Sequence, residues 1–465
     1  MNSSEKCRTH HINAPLDKSF WPAALANQGY LEAVKRSGKM APLVIGMERE
    51  NGHLSRFETP VLDEPDDQTL RHVERLVKFL VWAWGGWKIH VGGSRTIGEH
   101  IRSCYAPGGA RAFDVDLMSR VYERAFEVAV MEADDVPAER EATSFKGGHW
   151  DGCRIGFDLG ASDYKVAAVE AGTPVFSAEF AWNPKDQADP GYHFTKLNEG
   201  IAKAARYLPR LDAIGGSTAG VVVDNQIRVA SLFRSVPVER FGEAKTIFRR
   251  LQQQWGVPVE VANDGDVTAL AGALSLGVKS VLGIAMGSSQ AAGYLDHRGR
   301  MTGWLNELAF APVDYHPQAA TDEWSGDRGV GALYFSQQAV HKLLSSAGIE
   351  LPHGMGLPER LTEVQALMTN GDRRAAAIYE TIGVYLGYAI AQYAEFYEVE
   401  HVLVLGRVMT GVGGTLLLAK AGEVLWQEFP GLAERVRLHV PDESSRRVGQ
   451  AVAAASLPAI TRQER

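Results

Sequence analysis

The sequence predicts an α/β protein made of two related lobes behind a further α/β segment, and three observations predict it. From residue 151, short β-rich apolar runs alternate with amphipathic helical stretches, the signature of sheets covered by helices. The order of these runs occurs twice. Near residue 150, an acidic, turn-rich stretch from Glu132 to Glu141 and the pair Gly147-Gly148 separate two differently patterned regions. The expected domains are therefore 1–150, 151–278 and 279–443.

Before the boundary, Leu43 to Met47 and Trp87 to Val91 read as strands. Thr69 to Trp84 reads as a helix with Val73, Leu76, Val77, Leu80 and Val81 on one face. A packing or oligomerisation role is the plain reading of this segment, with a substrate lid or sensor as the alternative. Its Gly92-Gly93-Ser94 turn follows a strand and could hold an anion, although an ordinary turn is the favoured reading.

After the boundary come three strands (Arg154 to Leu159, Tyr164 to Glu170, Pro174 to Ala181), a helix from about His193 and a strand from Leu211. A helix from Val238 to Trp255 and a strand ending at Asn263 complete the first cycle. The second cycle has strands near Ser280 and Ala291, a long helix from Arg374 to Tyr397 and the strand His401 to Leu405. A helix from about Val412 and a short strand near Val436 follow. Two such lobes imply a cleft between them, and ligands of these sheets sit beyond the carboxyl ends of the strands.

Composition narrows the partners. Hydrophobic residues form 45% and charged residues 22% of the chain, an ordinary balance for a soluble protein, and no apolar run approaches the ~20 residues of a bilayer span. The start of the chain carries Glu5, Lys6, Arg8, His10 and His11 and no apolar core, so the cytoplasm is expected, with no membrane partner. Cys7, Cys104 and Cys153 have no paired spacing, which suggests neither a disulfide framework nor a cysteine zinc cage. A net charge of -8 argues against nucleic acid as a partner.

The chemistry concentrates between residues 258 and 293. The apolar run Pro258 to Ala262 ends in Asn263 and Asp264, and the run Ser280 to Met286 leads into Gly287, Ser288 and Ser289. A carboxylate at a strand end can accept a hydroxyl proton, and a turn of small residues can offer backbone amides to phosphates. An ATP-dependent kinase is the leading reading. Gly156 to Lys165 is a second such turn between strands. Its amides could hold phosphate oxygens, Asp158 could reach a hydrated magnesium ion, and Lys165 could offset negative charge. A β-hairpin whose aspartate merely satisfies turn amides is the alternative there. A helix N-cap is the alternative for Asp264, although Asp266 is expected to do the capping.

These loops, in this order, resemble the sugar kinase, Hsp70 and actin superfamily, and most closely its ROK family of bacterial sugar kinases and regulators, over about residues 151–462. The resemblance implies a two-lobed actin-like ATPase (ribonuclease H-like) fold with duplicated βββαβα lobes. It also implies a final helix, within 444–462, that crosses back to the first lobe. Asp158-Leu159-Gly160-Ala161-Ser162 is similar to the first phosphate loop, and Gly287 to Gly293 to the second. Ala161, Ser289, Ala291 and Ala292 replace family glycines, which a Cβ permits only where φ is not positive.

By the same resemblance Asp264 is the base and Asn263 binds a neighbouring hydroxyl, while Thr218 and Ser231 could be hydroxyl contacts, with turn-stabilising side chains as an equal alternative. Gly160, Ser162, Lys165, Gly287, Ser288 and Ser289 serve the phosphates of ATP, and Asp158 serves magnesium, directly or through water. The stretch His401 to Gly414, with Gly406 and Gly411, is similar to the adenosine element.

Asn306-Glu307-Leu308-Ala309-Phe310 resembles the Gly-Glu-Ile-Gly-His element. There Glu307 would hold acceptor hydroxyls, and Phe310 stands where a histidine contacts sugar and zinc. Glu323 to Ala332 resembles the zinc element without its cysteines, so no zinc is expected. Ala332 also replaces a glutamate that grips hydroxyls near the anomeric carbon. A site that keeps the reacting end and alters the other suits a carbocyclic acceptor with an exocyclic hydroxymethyl, and a C7-cyclitol 7-kinase is the sharpest expectation. A homodimer is compatible with the resemblance. The alternative function is a non-catalytic, sugar-sensing ROK-type regulator. Against it, residues 1–150 lack a basic helix-turn-helix pattern, and a regulator has no need of Asp264.

Overall fold

The computed structural model of the chain describes residues 12–141, 147–440 and 443–460. Cys7, the charged residues at positions 5–11 and the last two positions of the expected final helix, 461 and 462, lie outside the described residues. Packing divides the chain into two compact units. One gathers the described parts of 1–142, 284–292 and 303–440, and the other those of 143–283, 293–302 and 441–465.

In the first unit, α1 (Ala23–Ser37) precedes β1 (Met40–Glu48), β2 (Leu54–Leu62), α2 (Asp67–Ala83), β3 (Lys88–Gly92), α3 (Arg95–Cys104), α4 (Ala112–Tyr122) and β4 (Glu127–Met131). The strands form one sheet in the order β2-β1-β3-β4, with β1 antiparallel to both neighbours and β3 parallel to β4. Helix α2 forms because its apolar residues recur every three or four positions, and Val73, Val77, Leu80 and Val81 are fully buried. The Asp66 carboxylate caps it, accepting from the Thr69 N–H at 2.8 Å. At Gly92-Gly93-Ser94 the chain turns from β3 into α3, and the Ser94 hydroxyl caps the helix by accepting from the Ile97 N–H. Sequence periodicity missed α1, β2, α3, α4 and β4. In β2, Arg56 and Glu58 interrupt the apolar residues, and in α1 Leu25, Tyr30 and Val34 are too sparse to declare a face.

The second unit carries β5 (Cys153–Leu159), β6 (Asp163–Glu170), β7 (Thr173–Ala181), α5 (Pro190–Ala205), β8 (Ala213–Thr218), the small hairpin β9 (Val221–Val223) and β10 (Gln226–Val229), α6 (Phe241–Lys245), α7 (Ile247–Trp255), β11 (Val259–Asn263) and α8 (Asp264–Leu276). Its five-stranded sheet runs β11-β8-β5-β6-β7. Strands β5, β6 and β7 form an antiparallel meander, and β8 and β11 lie parallel on the other side of β5. This is the strand order of a ribonuclease H-like lobe. The single helix expected over Val238 to Trp255 is broken at Thr246, whose hydroxyl donates back to the Gly242 carbonyl at 3.0 Å and competes with the helical ladder.

The second repeat begins with β12 (Val281–Met286) and β13 (Gln290–Leu295). It continues through α9 (Gln337–Leu343), α10 (Leu357–Thr369), α11 (Arg373–Tyr393), β14 (His401–Leu405), α12 (Val412–Glu428), α13 (Pro430–Ala433) and β15 (Arg437–His439). Its sheet order is β13-β12-β14-β15. This lobe opens with two strands where the first opens with three, and residues 296–336 are largely irregular. The last helix, α14 (Glu443–Ala455), packs on β5, β6 and β8. Gly156 and Gly215 face each other across β5 and β8, and a Cβ on either would collide with the carbonyl of Ala451 or Ala454. Paired glycines thus let the helix backbone lie directly on the strands.

Candidate active site

Register brings four polar residues to the carboxyl ends of three adjacent strands of the second unit. Asp158 pairs with Ser217, and Thr218 pairs with both Leu159 and Asn263. Because β5, β8 and β11 are parallel, their ends point the same way, and α8 starts at the next residue, Asp264.

Asp158 is buried. The Ser217 hydroxyl donates to its Oδ1 at 2.7 Å, and the Lys165 ammonium stands 4.0 Å from its Oδ2. Burial pushes the Asp158 carboxyl above its ordinary range, against the pull of Ser217 and Lys165. Burial also works against the charge on Lys165. Its hydrogen bond to Asp163 at 3.1 Å and the nearby carboxylates of Asp158, Asp163 and Glu179 outweigh that effect and hold its pKa above the usual value. Asp264 is pushed up to about 7, first by burial and then by the negative charge of Asp158, while the Gly265 N–H pulls the other way. Two carboxylates that oppose each other's ionisation are thereby held at one end of the sheet.

The cap of α8 differs from the expectation. Asn263 fills it, its Oδ1 accepting from the Gly265 N–H at 2.7 Å, and its Nδ2 donates to the Gly220 carbonyl at 2.8 Å. Asp266 lies inside the first turn instead, and it accepts from the Tyr294 N–H at 3.4 Å. An asparagine in extended geometry just before the helix is better placed to reach its first amides than a residue inside the first turn. A primary amide carries a second N–H and a second lone pair beyond these two bonds. Thr218 is fully buried, its hydroxyl directed to the Ala219 carbonyl at 3.4 Å, and Ser231 is exposed at the start of a 3-10 turn.

The first loop is a tight turn closed by the Gly160 N–H to the Asp163 carbonyl at 3.0 Å. Trp182 braces it, donating its indole N–H to the Gly160 carbonyl at 2.9 Å and its backbone N–H to the Ser162 carbonyl at 3.1 Å. Ala161 and Ser162 are exposed. None of Ala161, Ser289, Ala291 and Ala292 has a positive φ, so the side chains that replace family glycines fit both loops without backbone strain.

The first unit holds the remaining predicted residues. Ser288 and Ser289 are exposed in the turn that the Gly287 N–H closes on the Ser289 carbonyl, and the Gly287 carbonyl accepts from the Gln337 N–H at the start of α9. Gly406 ends β14 with φ 104°, and a Cβ there would strike the Met286 carbonyl, so the two turns are neighbours and only glycine serves. Gly411 is exposed at the N-cap of α12. Glu307 is half-buried, its backbone N–H bonded to the Trp82 carbonyl at 3.0 Å. Phe310 is buried with its ring centroid 4.4 Å from Trp82 and 5.3 Å from Trp324, and Ala332 is buried in a 3-10 turn.

Among the described residues, no group of three or more His, Cys, Asp or Glu side chains is placed to hold a metal ion. Asp158 could nonetheless serve magnesium, a hard cation that typically takes one or two carboxylates and completes its shell with phosphate and water oxygens. Sequence reasoning missed Ser217 and Trp182, since each is identified only by strand register or a turn contact.

The fold is that of the actin-like ATPases, as found in ROK proteins. The chain is similar to a ROK hexokinase from Thermus thermophilus, with a TM-score of 0.52 and 18% identity over 65% of this chain and 96% of that one. It is equally similar to a ROK family transcriptional regulator, a homologue of the E. coli MLC protein, with a TM-score of 0.52 and 20% identity over 65% of this chain and 77% of that one. No protein-family model matches the sequence, and no curated protein matches it. At these identities the likeness speaks for the fold alone, and it embraces an enzyme and a regulator.

Proposed function

We propose that the protein is an ATP-dependent kinase that transfers the γ-phosphoryl group to a primary hydroxyl of a sugar or sugar-like cyclitol. Asp264 carries this reading: a carboxyl pushed up to about 7 at the mouth of parallel strands matches a general base working near neutral pH. A positioned base is worth roughly 10²–10⁴-fold in rate.

In this reading Asp264 takes the proton of the attacking hydroxyl. The acceptor oxygen bonds to the γ-phosphorus as the bond to the β-phosphate oxygen breaks, and ADP leaves. Asn263, Thr218, Ser231 and Glu307 orient the acceptor. Asp158 would hold magnesium, directly or through water, and a bound ion would supply positive charge to the phosphates. Lys165 and the loops at Gly160, Ser162, Gly287, Ser288 and Ser289 bind phosphate oxygens, and Gly406 and Gly411 admit the nucleoside. The division into 151–278 and 279–443 as catalytic lobes, with 1–150 added, belongs to the same proposal.

The acceptor we favour is a C7-cyclitol phosphorylated on its exocyclic hydroxymethyl. Phe310 and Ala332 leave apolar groups where relatives would grip the anomeric end, and a carbocycle has no anomeric centre. A non-catalytic sugar-sensing regulator is the second reading, favoured by the equal likeness to a regulator. It leaves the perturbed Asp264 without a task.

Coupled ADP release with Mg-ATP over hexoses, amino sugars, inositols and C7-cyclitols, run beside Asp264→Asn, tests the proposal. Phosphate on one acceptor that vanishes in the variant supports it. Sugar binding without ADP release supports the regulator, and rapid turnover of glucose with none of cyclitols removes the cyclitol.

A further inference from the structure

The C-terminal end of α2 meets the backbone of the Glu307 segment. The N–H groups of Leu305, Asn306 and Glu307 donate to the carbonyls of Trp84, Ala83 and Trp82 at 3.2, 2.9 and 3.0 Å. The last carbonyls of a helix have no partner within it, so each of these bonds satisfies a group that would otherwise need water or a cap. Asn306 is held with a positive φ of 54°, unusual for a side-chain-bearing residue, and its Oδ1 accepts from the Tyr397 hydroxyl at 3.2 Å.

A buried ion network fixes the other end of the same stretch. Asp327 receives Lys78 at 2.9 Å, Arg111 at 2.7 Å and Arg75 at 3.3 Å, and Arg75 also donates to the Arg328 carbonyl at 2.8 Å. Lys78 is shared with Asp114 at 3.0 Å, the Trp82 indole N–H donates to Asp114 at 3.1 Å, and Arg111 pairs with Glu74. Every cation comes from α2 or from the residue that caps α4, and the anion they converge on lies in the irregular chain after Glu307. Between the two anchors Phe310 is clasped by Trp82, Phe113 and Trp324.

Such an arrangement exceeds what packing alone requires. A largely buried three-cation, three-anion network is costly to assemble and contributes little net stability compared with an apolar core, but it defines one geometry sharply. We propose that α2 and the Arg75, Lys78, Arg111 and Asp327 network position Glu307 for the acceptor, so that the N-terminal region is a working part of the acceptor site. This inference rests on the kinase reading for the role of Glu307. The anchoring itself does not.

Asp327→Asn removes the shared anion without changing volume, and Asp327→Glu restores the charge. In Asp327→Asn the acceptor KM is expected to rise about tenfold to a hundredfold, as for a misplaced binding group, with the KM for ATP changed by less than about twofold. Asp327→Glu recovers part of the loss. In a Glu307→Gln background Asp327→Asn costs almost nothing further, because both act through one contact. Amide exchange of peptides covering 303–311 in the full chain rises in Asp327→Asn, while that of peptides covering 259–268 does not. Exchange at 303–311 equal to that of the wild type, equal changes in both KM values, or additive double mutants would overturn the positioning role. A wild-type chain that phosphorylates no acceptor overturns the kinase reading instead, and the anchoring then stands or falls on the exchange alone.

Discussion

Ser217 and Asp158 face each other on neighbouring parallel strands, and the serine hydroxyl donates to the carboxylate over 2.7 Å. That bond favours the ionised form of a carboxyl whose ionisation burial opposes. Ser217→Ala should raise the Asp158 pKa further. A hydrogen bond to a charged group is worth about 1.5–3 kcal/mol, so the magnesium concentration for half-maximal ADP release is expected to rise about tenfold at pH 7. An unchanged magnesium titration would show that Asp158 does not serve the ion.

Asp264 must be ionised to accept a proton, and its carboxyl is pushed up to about 7. The log of kcat/KM should therefore rise with unit slope through the acid range and level off near pH 7. Asp158→Asn removes the neighbouring negative charge, the second cause of the shift, so its acid limb should move to lower pH even as activity falls. A rate independent of pH between 5 and 8 (about the range in which a group near 7 titrates) would exclude Asp264 as the base.

The same carboxyl carries a stability signature. Its folded value of about 7 lies above the ordinary aspartate value of 3.8, so the folded chain binds a proton that the unfolded chain releases. The destabilisation is absent below the unfolded value, grows as pH rises between the two and is complete above the folded one. Asp264→Asn is thus expected to abolish activity yet stabilise the unit, by about 2–4 kcal/mol at pH 8 and by almost nothing at pH 4, as read by denaturant melts at both values. A variant less stable than the wild type at pH 8 contradicts the burial argument.

Much of this was legible from local pattern. β14 falls on the expected residues, and β5, β6 and β11 fall within a residue or so, because buried strands in α/β proteins are compact apolar runs closed by small residues. The carboxylates Asp158 and Asp264 were found for the same reason: they end such runs. What stayed hidden depends on tertiary pairing. Ser217 looks like any strand serine until β8 is set beside β5, and the cap of α8 was assigned to Asp266 because spacing does not reveal which side chain can reach the first amides. Lys78 reads as a solvated helix residue from its sequence, whereas it is buried between Asp114 and Asp327 from distant parts of the chain.

The glycine pair under α14 gives a sharper mechanical test. Gly156 and Gly215 are in register, and a methyl group at position 215 would collide with the Ala454 carbonyl, a backbone atom that moves only if the helix moves. Overpacking a core usually costs about 1–3 kcal/mol, and Gly215→Ala belongs at or beyond the upper end because no rotamer relieves it. Gly242 in α6 has open space around its missing Cβ, and Gly242→Ala should instead stabilise by about 0.5–1 kcal/mol. Melting both variants separates the loss of a close approach from the general effect of adding a methyl group. Gly215 lies two residues before Ser217 on β8, so a shift of β8 that accommodates the methyl also displaces the hydroxyl that holds Asp158. Gly215→Ala chains that remain folded should therefore need more magnesium as well as melting earlier. A variant that melts earlier with an unchanged magnesium requirement would separate the helix contact from the site.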